Sequence, residues 1–337
     1  MDKKPEAGKR ERKKIMYDVV ALGELLVDFT DAGLSPDGMR LFEQNPGGAP
    51  ANVLAGLGRM GLRTAFIGKV GDDLNGRFLE RVLKAEKIDT SSLIFDKNHF
   101  TTLTFVSISA DGERHFSFAR KPGADMMLQK DEIRYDLIEN AKIFHIGSLS
   151  LTDEPARTAT FAALAAARRA GCIVSYDPNY RASLWQSEQK AAETIRSVLP
   201  FVDVIKLSGE EAGLVTPEKD PKAAGSYLTA HGIKAAFITL GKRGAYVFSR
   251  EGGAYQPAVP GTAVDTNGAG DAFCSGVLFR IRRQNQRIEE IGLPALSEFA
   301  RFGNAAASLC IEKRGAIPAM PSLREIRRRL GARDEPA

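Results

Sequence analysis

Short apolar runs alternate with longer amphipathic stretches almost from end to end, and this alternation limits the accessible folds more than any other feature of the chain. Residues 17–23, 64–70, 143–147, 172–176, 202–207 and 235–240 are mainly apolar, as strands buried on both faces are. Between them, residues 49–60, 75–86, 154–170 and 222–231 carry apolar side chains at helical spacing. Strands covered on both faces form a parallel sheet, because each parallel connection needs a crossover long enough to hold a helix. The fold class is therefore α/β. No segment of about 20 to 50 residues recurs and no low-complexity linker divides the body, so one main domain is expected.

One segment breaks the alternation. Residues 101–120 switch to period two (Leu103, Phe105, then Phe116, Phe118) around Ala110-Asp111-Gly112, which reads as a β-hairpin. With residues 33–43 it forms an antiparallel insert, about 31–45 and 99–120, on the main domain of 15–321. Phe100, Phe105, Phe116 and Phe118 are expected to pave one face of it. That face either packs on the domain or acts as a lid that pairs with a second subunit in a homodimer.

The net charge of +5 raises the question of nucleic acid. Its distribution answers it: residues 1–14 carry seven Lys or Arg against three acids, and residues 322–337 five Arg against three. These two ends, read as solvated basic tails, leave the body near −1, with no basic stripe interleaved with aromatics. No apolar stretch approaches the roughly 18 to 20 residues of a membrane span, and no apolar segment follows the basic N-terminus as in a secretory signal. A soluble, cytoplasmic protein is expected, with neither nucleic acid nor membrane as partner. Cys172, Cys274 and Cys310 are far apart and never paired as C-x-x-C, which fits a reducing compartment and no cysteine-based zinc site. His99, His115, His145 and His231 have no metal-ligand spacing, and no G-x-S-x-G elbow suggests a serine nucleophile.

Chemistry is written most clearly in Asp265-Thr-Asn-Gly-Ala-Gly-Asp271, which enters a helical stretch with apolar residues Phe273, Val277 and Ile281. Glycines let backbone N–H groups turn toward a bound anion, and the helix start adds unpaired donors and the positive end of its dipole. Asp271 could simply cap that helix, but a cap does not require Gly268 and Gly270 before it. A carboxylate beside an anion hole is what phosphoryl transfer to an alcohol needs. Asp271 is the candidate base, and Gly268, Ala269 and Gly270 form the candidate anion hole. Other phosphate motifs fail: no G-x-x-x-x-G-K-[ST] is present, and Gly56-Leu-Gly58-Arg-Met-Gly61 ends a helix before a strand, the reverse of a dinucleotide site. Those glycines read as helix–sheet packing. Near the N-terminus, Asp28 follows the first strand, and Pro46-Gly-Gly-Ala-Pro-Ala-Asn52 opens the next helix. Together they suit a polyhydroxylated ligand.

Gly47-Gly-Ala-Pro-Ala-Asn52, Gly68-Lys-Val-Gly-Asp-Asp73, Tyr176-Asp-Pro-Asn-Tyr-Arg181, Thr239-Leu-Gly241 and the Asp265–Asp271 motif resemble the ribokinase-like (PfkB) carbohydrate kinases over about residues 19–321. Phe144-His-Ile-Gly-Ser148, Asp177-Pro-Asn179 and Gly315-Ala-Ile-Pro318 are most similar to fructokinases. The resemblance implies a three-layer α/β/α fold with a mostly parallel central sheet and a small β-lid. It implies transfer of the γ-phosphoryl group of ATP to a sugar, first of all D-fructose to fructose 6-phosphate. It further implies that Asp28, Gly47, Gly48 and Asn52 hold sugar hydroxyls. Arg181 would face substrate or phosphates, or else pair structurally with a carboxylate. Thr239, Gly241 and Gly244 would lie along the nucleotide, with Asn304 near the adenine. Glu211 would act on Mg²⁺ through water. Ser208 departs from the family's asparagine at the nucleotide site, shortening a carboxamide to a hydroxyl. A monovalent-cation site, K⁺ by resemblance, would lie beside Asp265 and Asn267. The alternatives are the same chemistry on 2-keto-3-deoxygluconate, ribose, a nucleoside or a sugar phosphate, for which Arg114, Arg120 and Lys121 are available, and a non-catalytic sensor of sugar or nucleotide.

Overall fold

The structure, a computed structural model, describes residues 16–108, 114–284 and 286–331. The basic residues 1–14 and the turn Ala110-Asp111-Gly112 lie outside the described residues. The chain opens with β1 (Tyr17–Leu22), β2 (Leu26–Leu34), β3 (Arg40–Gly47) and α1 (Ala49–Arg59). Next come β4 (Thr64–Gly71), α2 (Leu74–Ala85), β5 (Asp89–Asp96), β6 (Leu103–Ile108) and β7 (Arg114–Ala119). The middle runs α3 (Tyr135–Glu139), β8 (Ala141–Ile146), α4 (Ala156–Ala170), β9 (Ile173–Tyr176), α5 (Glu188–Ser197) and β10 (Val204–Ser208). It continues through α6 (Ala212–Val215), α7 (Pro221–Ala230), β11 (Ala235–Thr239), β12 (Gly244–Ser249) and β13 (Gly252–Pro257). The last helices are α8 (Ala269–Gln284), α9 (Leu293–Cys310) and α10 (Leu323–Arg329).

Nine strands form the central sheet in the order β13-β12-β11-β10-β9-β8-β1-β4-β5. All neighbours from β11 to β5 pair in parallel, while β12 and β13 add an antiparallel edge. The pleat sends alternate side chains into two cores: Val19 and Ala21 meet the layer of α1, α2, α8, α9 and α10, whereas Val20 and Leu22 meet that of α3 to α7. This is the three-layer α/β/α arrangement. From β1 the chain proceeds to β4 and β5 on one side and to β8 through β11 on the other. Connections leaving in opposite directions open a crevice beyond the strands' C-terminal ends, where ligands of such sheets bind.

A second sheet, β3-β2-β6-β7, has Leu26 rather than residue 31 as its first member. The hairpin β6–β7 joins β2 by parallel pairing. Period two divides its aromatic residues. Phe105 stacks on Phe29 at 5.5 Å and meets Phe42 edge-on at 5.8 Å, whereas Phe118 and Thr104, cross-strand neighbours, turn to the opposite side and line a cavity. Phe100 lies outside the strands and is 81% exposed. A single aromatic face is thus corrected to an outer strip of Phe29, Phe42 and Phe105.

Two further expectations change. Residues 323–329 are helical rather than a frayed tail. Ser322 and Glu325 form a capping box, Ile326 is buried, and Arg329 bonds Pro260 O, Ser308 Oγ and Glu312. Gly56 serves helix–helix contact, since a Cβ there would fall 2.5 Å from Ser275 Oγ of α8.

Candidate active site

Both glycine-rich motifs arrive at the crevice because each ends a connection at that edge of the sheet. Gly48 caps α1 at φ +116°, and a Cβ would sit 2.4 Å from Glu24 O, so only glycine lets the turn close on the end of β1. Pro50 then starts the helix, with Asn52 on its first turn. From the other end of the chain, Gly268 adopts φ +75° against Ala316 and leads into α8. Ala269 N donates to Thr266 O at 3.4 Å, and the amides of Gly270 and Asp271 follow it in the first turn of that helix, where intrahelical acceptors are lacking. The motifs meet directly: Asn52 Nδ2 donates to Asp271 Oδ2 at 2.8 Å across 219 residues of sequence.

Around this bond, Glu24, Asp28, Gly48, Asn52, Thr104, Phe118, Asn179, Arg181, Asn267 and Asp271 line a small cavity roofed by the lid sheet. Gly47 stands behind Asp28, whose Oδ2 lies 2.5 Å from where a Gly47 Cβ would be. Burial pushes the Asp271 carboxyl up to about 6, and the Asp177 charge adds to this. The Asn52 bond and the Lys206 and Arg181 cations hold it from rising further. Asp28 is likewise pushed up to about 6 by burial, against the pull of the neighbouring Thr104 and Asn267 side chains. Both carboxyls thus remain ionised near neutrality while being better proton acceptors than an exposed aspartate.

A larger cavity of about 770 Å³ adjoins the first and is lined by Lys206, Ser208, Glu210, Glu211, Lys219 and Glu188 among others. Asn179 and Arg181 belong to both walls, so the two cavities meet there. Arg181 Nη1 donates to the Tyr180 carbonyl at 3.0 Å, which leaves a cation at the junction. Lys206 was not among the sequence candidates. It is 8% exposed, its Nζ lies 3.0 Å from Asp177 Oδ2, and a Cβ on Gly270 would fall 2.9 Å from it. Burial would push the ammonium down, but the Asp177, Glu211 and Asp271 charges together hold it above its ordinary range. A fixed cation therefore faces the amide cradle. The available signal was a lysine within an otherwise apolar strand, and His145 and Ser175 on β8 and β9, level with Val204, are on the same face of the sheet.

Ser208 and Glu211 form a capping box at the end of β10. Ser208 Oγ accepts from Glu211 N, and Glu211 Oε2 accepts from Ser208 N at 2.7 Å. Glu211 Oε1 accepts from Tyr180 N at 2.7 Å, tying the Arg181 loop to β10. A hydroxyl completes this cap, so the shorter side chain at Ser208 costs no local structure. Among the described residues no cluster of three or more His, Cys, Asp or Glu side chains could hold a metal ion. With both Glu211 oxygens already bonded to amides, the residues present fit a Mg²⁺ held by nucleotide phosphates and water, not one bound by the protein alone.

The remaining candidates stand further off. Thr239 is beside Ser208 in register and bonds Leu207 O, and Gly241 and Gly244 make the turn into β12. None of the three lines the larger cavity. Asn304 Nδ2 donates to Pro257 O at 2.9 Å and to Gln256 O at 3.4 Å, which ties its NH₂ group to the end of β13. Asp265 accepts from Asn267 N at 2.8 Å and Gly315 N at 3.1 Å, which draws the 315–319 segment against the motif loop. Arg120 is withdrawn from the sugar-phosphate alternative: it is 4% exposed and bonds Asp125, Thr152 and Leu149 O. The Arg114 side chain lies outside the described residues.

A model of the pfkB family carbohydrate kinases matches residues 16–323, and the chain belongs to that family. Within it, the chain is similar to proteins named as fructokinases. Probable fructokinase-7 of Arabidopsis thaliana is 42% identical over 310 residues, covering 90% of each chain. The ATP-bound fructokinase of Xylella fastidiosa superimposes with a TM-score of 0.86 at 30% identity, over 94% of this chain and 99% of that one. The fructokinase of Vibrio cholerae O395, crystallised with fructose, ADP and calcium, gives 0.84 at 32% identity with the same coverage. Among the described residues no helix is long and apolar enough to cross a membrane.

Proposed function

We propose that this protein is an ATP-dependent fructokinase that phosphorylates the 6-hydroxyl of D-fructose. The observation that carries the reading is the Asn52–Asp271 bond, which sets a carboxylate of raised proton affinity in a polar cavity beside a helix N-terminus and a buried lysine. The sugar occupies the smaller cavity with its hydroxyls on Asp28, Asn52 and the Gly47-Gly48 turn. The nucleotide phosphates lie over Lys206 and Ser208, with the base toward Thr239, Gly241, Gly244 and Asn304. Asp271 takes the proton of the attacking hydroxyl while its oxygen bonds to the γ-phosphorus and the bond to ADP breaks. The amides of Gly268, Ala269 and Gly270, with Lys206 and Arg181, neutralise the charge on the transferring group. Mg²⁺, when bound, supplies charge neutralisation on the nucleotide phosphates, with Glu211 ordering its water. The carbonyls beside Asp265 and Asn267 are the proposed seat of an activating K⁺.

Coupled ADP release with purified protein tests this on a panel of fructose, ribose, 2-keto-3-deoxygluconate, a nucleoside and fructose 6-phosphate, with the product assigned by NMR. Fructose should give the highest kcat/KM and a 6-phosphate. A higher value for another acceptor would replace the substrate, and no ADP release with any of them would favour a non-catalytic sensor.

A further inference from the structure

Glu24 belongs to no motif used so far, yet it is a buried acid in the wall of the sugar cavity. It follows β1 directly, is 2% exposed, and breaks the otherwise apolar run Leu22-Gly-Glu-Leu-Leu26. Its two oxygens have different fates. Oε1 accepts from Ala49 N at 2.9 Å, fixing the start of α1. Oε2 is buried without any hydrogen-bond partner. The nearby guanidinium of Arg120 does not serve it, because its donors go to Asp125, Thr152 and Leu149 O. On the side of Oε2 stands Gly147, where an added Cβ would come into van der Waals contact with this oxygen at 3.9 Å. Burial pushes the carboxyl up to about 7, against the pull of the backbone amides of Glu24 itself and Ala49. A buried acceptor left unsatisfied is costly, and natural proteins keep few of them without a functional reason.

We propose that Glu24 is a sugar-binding residue whose Oε2 accepts a hydrogen bond from a hydroxyl of the acceptor other than the one phosphorylated, while Oε1 holds the Gly48-Ala49 turn in place. This deepens the fructokinase reading and rests on it. Asp271 and Asn52 engage the reacting end of the sugar; Glu24, on the β1 side of the cavity, selects for a donor group further along it. The site therefore discriminates by a hydroxyl that never reacts.

Glu24→Gln tests the proposal, because it keeps an acceptor for Ala49 N but presents an NH₂ donor where the sugar needs an acceptor. A hydrogen bond to a charged group is worth a factor of roughly 10 to 100 in affinity. The fructose KM, and the Kd by calorimetry, should rise by about that factor, with the ATP KM unchanged and the Tm not lowered. Against a set of monodeoxyfructoses, the wild type should lose affinity for several, and the variant should lose its discrimination at one position only. A purely structural role would weaken every sugar alike. Gly147→Ala is the second variant: its Cβ meets only ordinary contacts, 3.5 Å from Asp177 O and 3.9 Å from Glu24 Oε2, and should raise the fructose KM by narrowing the approach. An unchanged fructose KM and Kd in Glu24→Gln, or equal losses across the deoxy series, would overturn the role of Glu24 while wild-type turnover kept the fructokinase reading intact. Wild type without turnover on any sugar would overturn the kinase reading instead, and calorimetry would still read Glu24.

Discussion

Replacing Asp271 by Asn should stabilise the fold while abolishing turnover, because the proposed base sits where ionisation is unfavourable. The folded state moves its carboxyl from an ordinary 3.8 up to about 6, chiefly through burial. At about 1.4 kcal/mol for each pH unit, ionising Asp271 costs the native state about 3 kcal/mol. The sign follows from linkage. Below pH 3.8 the group is protonated in both states and costs nothing; as pH rises, the unfolded chain ionises first, and stability is lost until the folded group has titrated through about 6. Asp271→Asn should therefore gain little at the acid end, about half the full amount at pH 5, and about 3 kcal/mol at pH 8. The amide still accepts the bond from Asn52, so the cavity need not reorganise. For 337 residues, at about 2.1 cal/mol/K of unfolding entropy each, the pH 8 gain corresponds to a Tm about 4 °C higher. Calorimetry of both proteins from pH 5 to pH 8, beside coupled ADP release, measures both effects. A Tm difference that stays flat with pH, or is negative at pH 8, would refute the assigned burial cost; retained turnover would remove Asp271 as the base.

In the wild type, kcat/KM should fall as pH drops through about 6, where Asp271 takes up a proton, and Asn52→Ala should move that limb upward by removing a bond to the ionised form; a pH–rate profile of each decides. Lys206→Met leaves the Asp177 carboxylate, 2% exposed, without its cation, and should cost about 3 to 5 kcal/mol in urea unfolding. Adding Asp177→Asn should restore much of that stability without restoring kcat, which separates fold from chemistry. Gly48→Ala places a Cβ 2.4 Å from Glu24 O at φ +116°, and should lower stability by about 1 to 3 kcal/mol and raise the fructose KM more than the ATP KM. If the outer strip of the lid pairs two copies, Phe105→Asp should halve the mass seen by sedimentation equilibrium, and a wild-type monomer would exclude that pairing.

The inner strands of the parallel sheet were legible because a strand buried on both faces has no choice of composition, and the lid hairpin because its pleat alternates; the half-exposed edge strand β5 was not read. Sequence also singled out Asp271 and Asn52 beside glycines that permit close backbone approach, and Asp28 past the first strand, and the structure brings the three to one cavity. It did not find Lys206 or Glu24. Each is one charged residue in an apolar run, and a run by itself says only that the segment is buried, not which side chains share the space across it.

Amino-acid order by itself determined the layer architecture, the family and the two glycine-rich turns, all of which depend on local periodicity and local backbone freedom. Tertiary structure alone decided that residues 219 positions apart share a hydrogen bond, that Phe105 and Phe118 face opposite ways, and that Arg120 is used up by Asp125 and its neighbours. The physical reason is range. Propensities and turns act over a few residues, whereas burial, the proton affinity of Asp271 and the unpaired oxygen of Glu24 depend on whatever distant segments packing brings within a few ångströms.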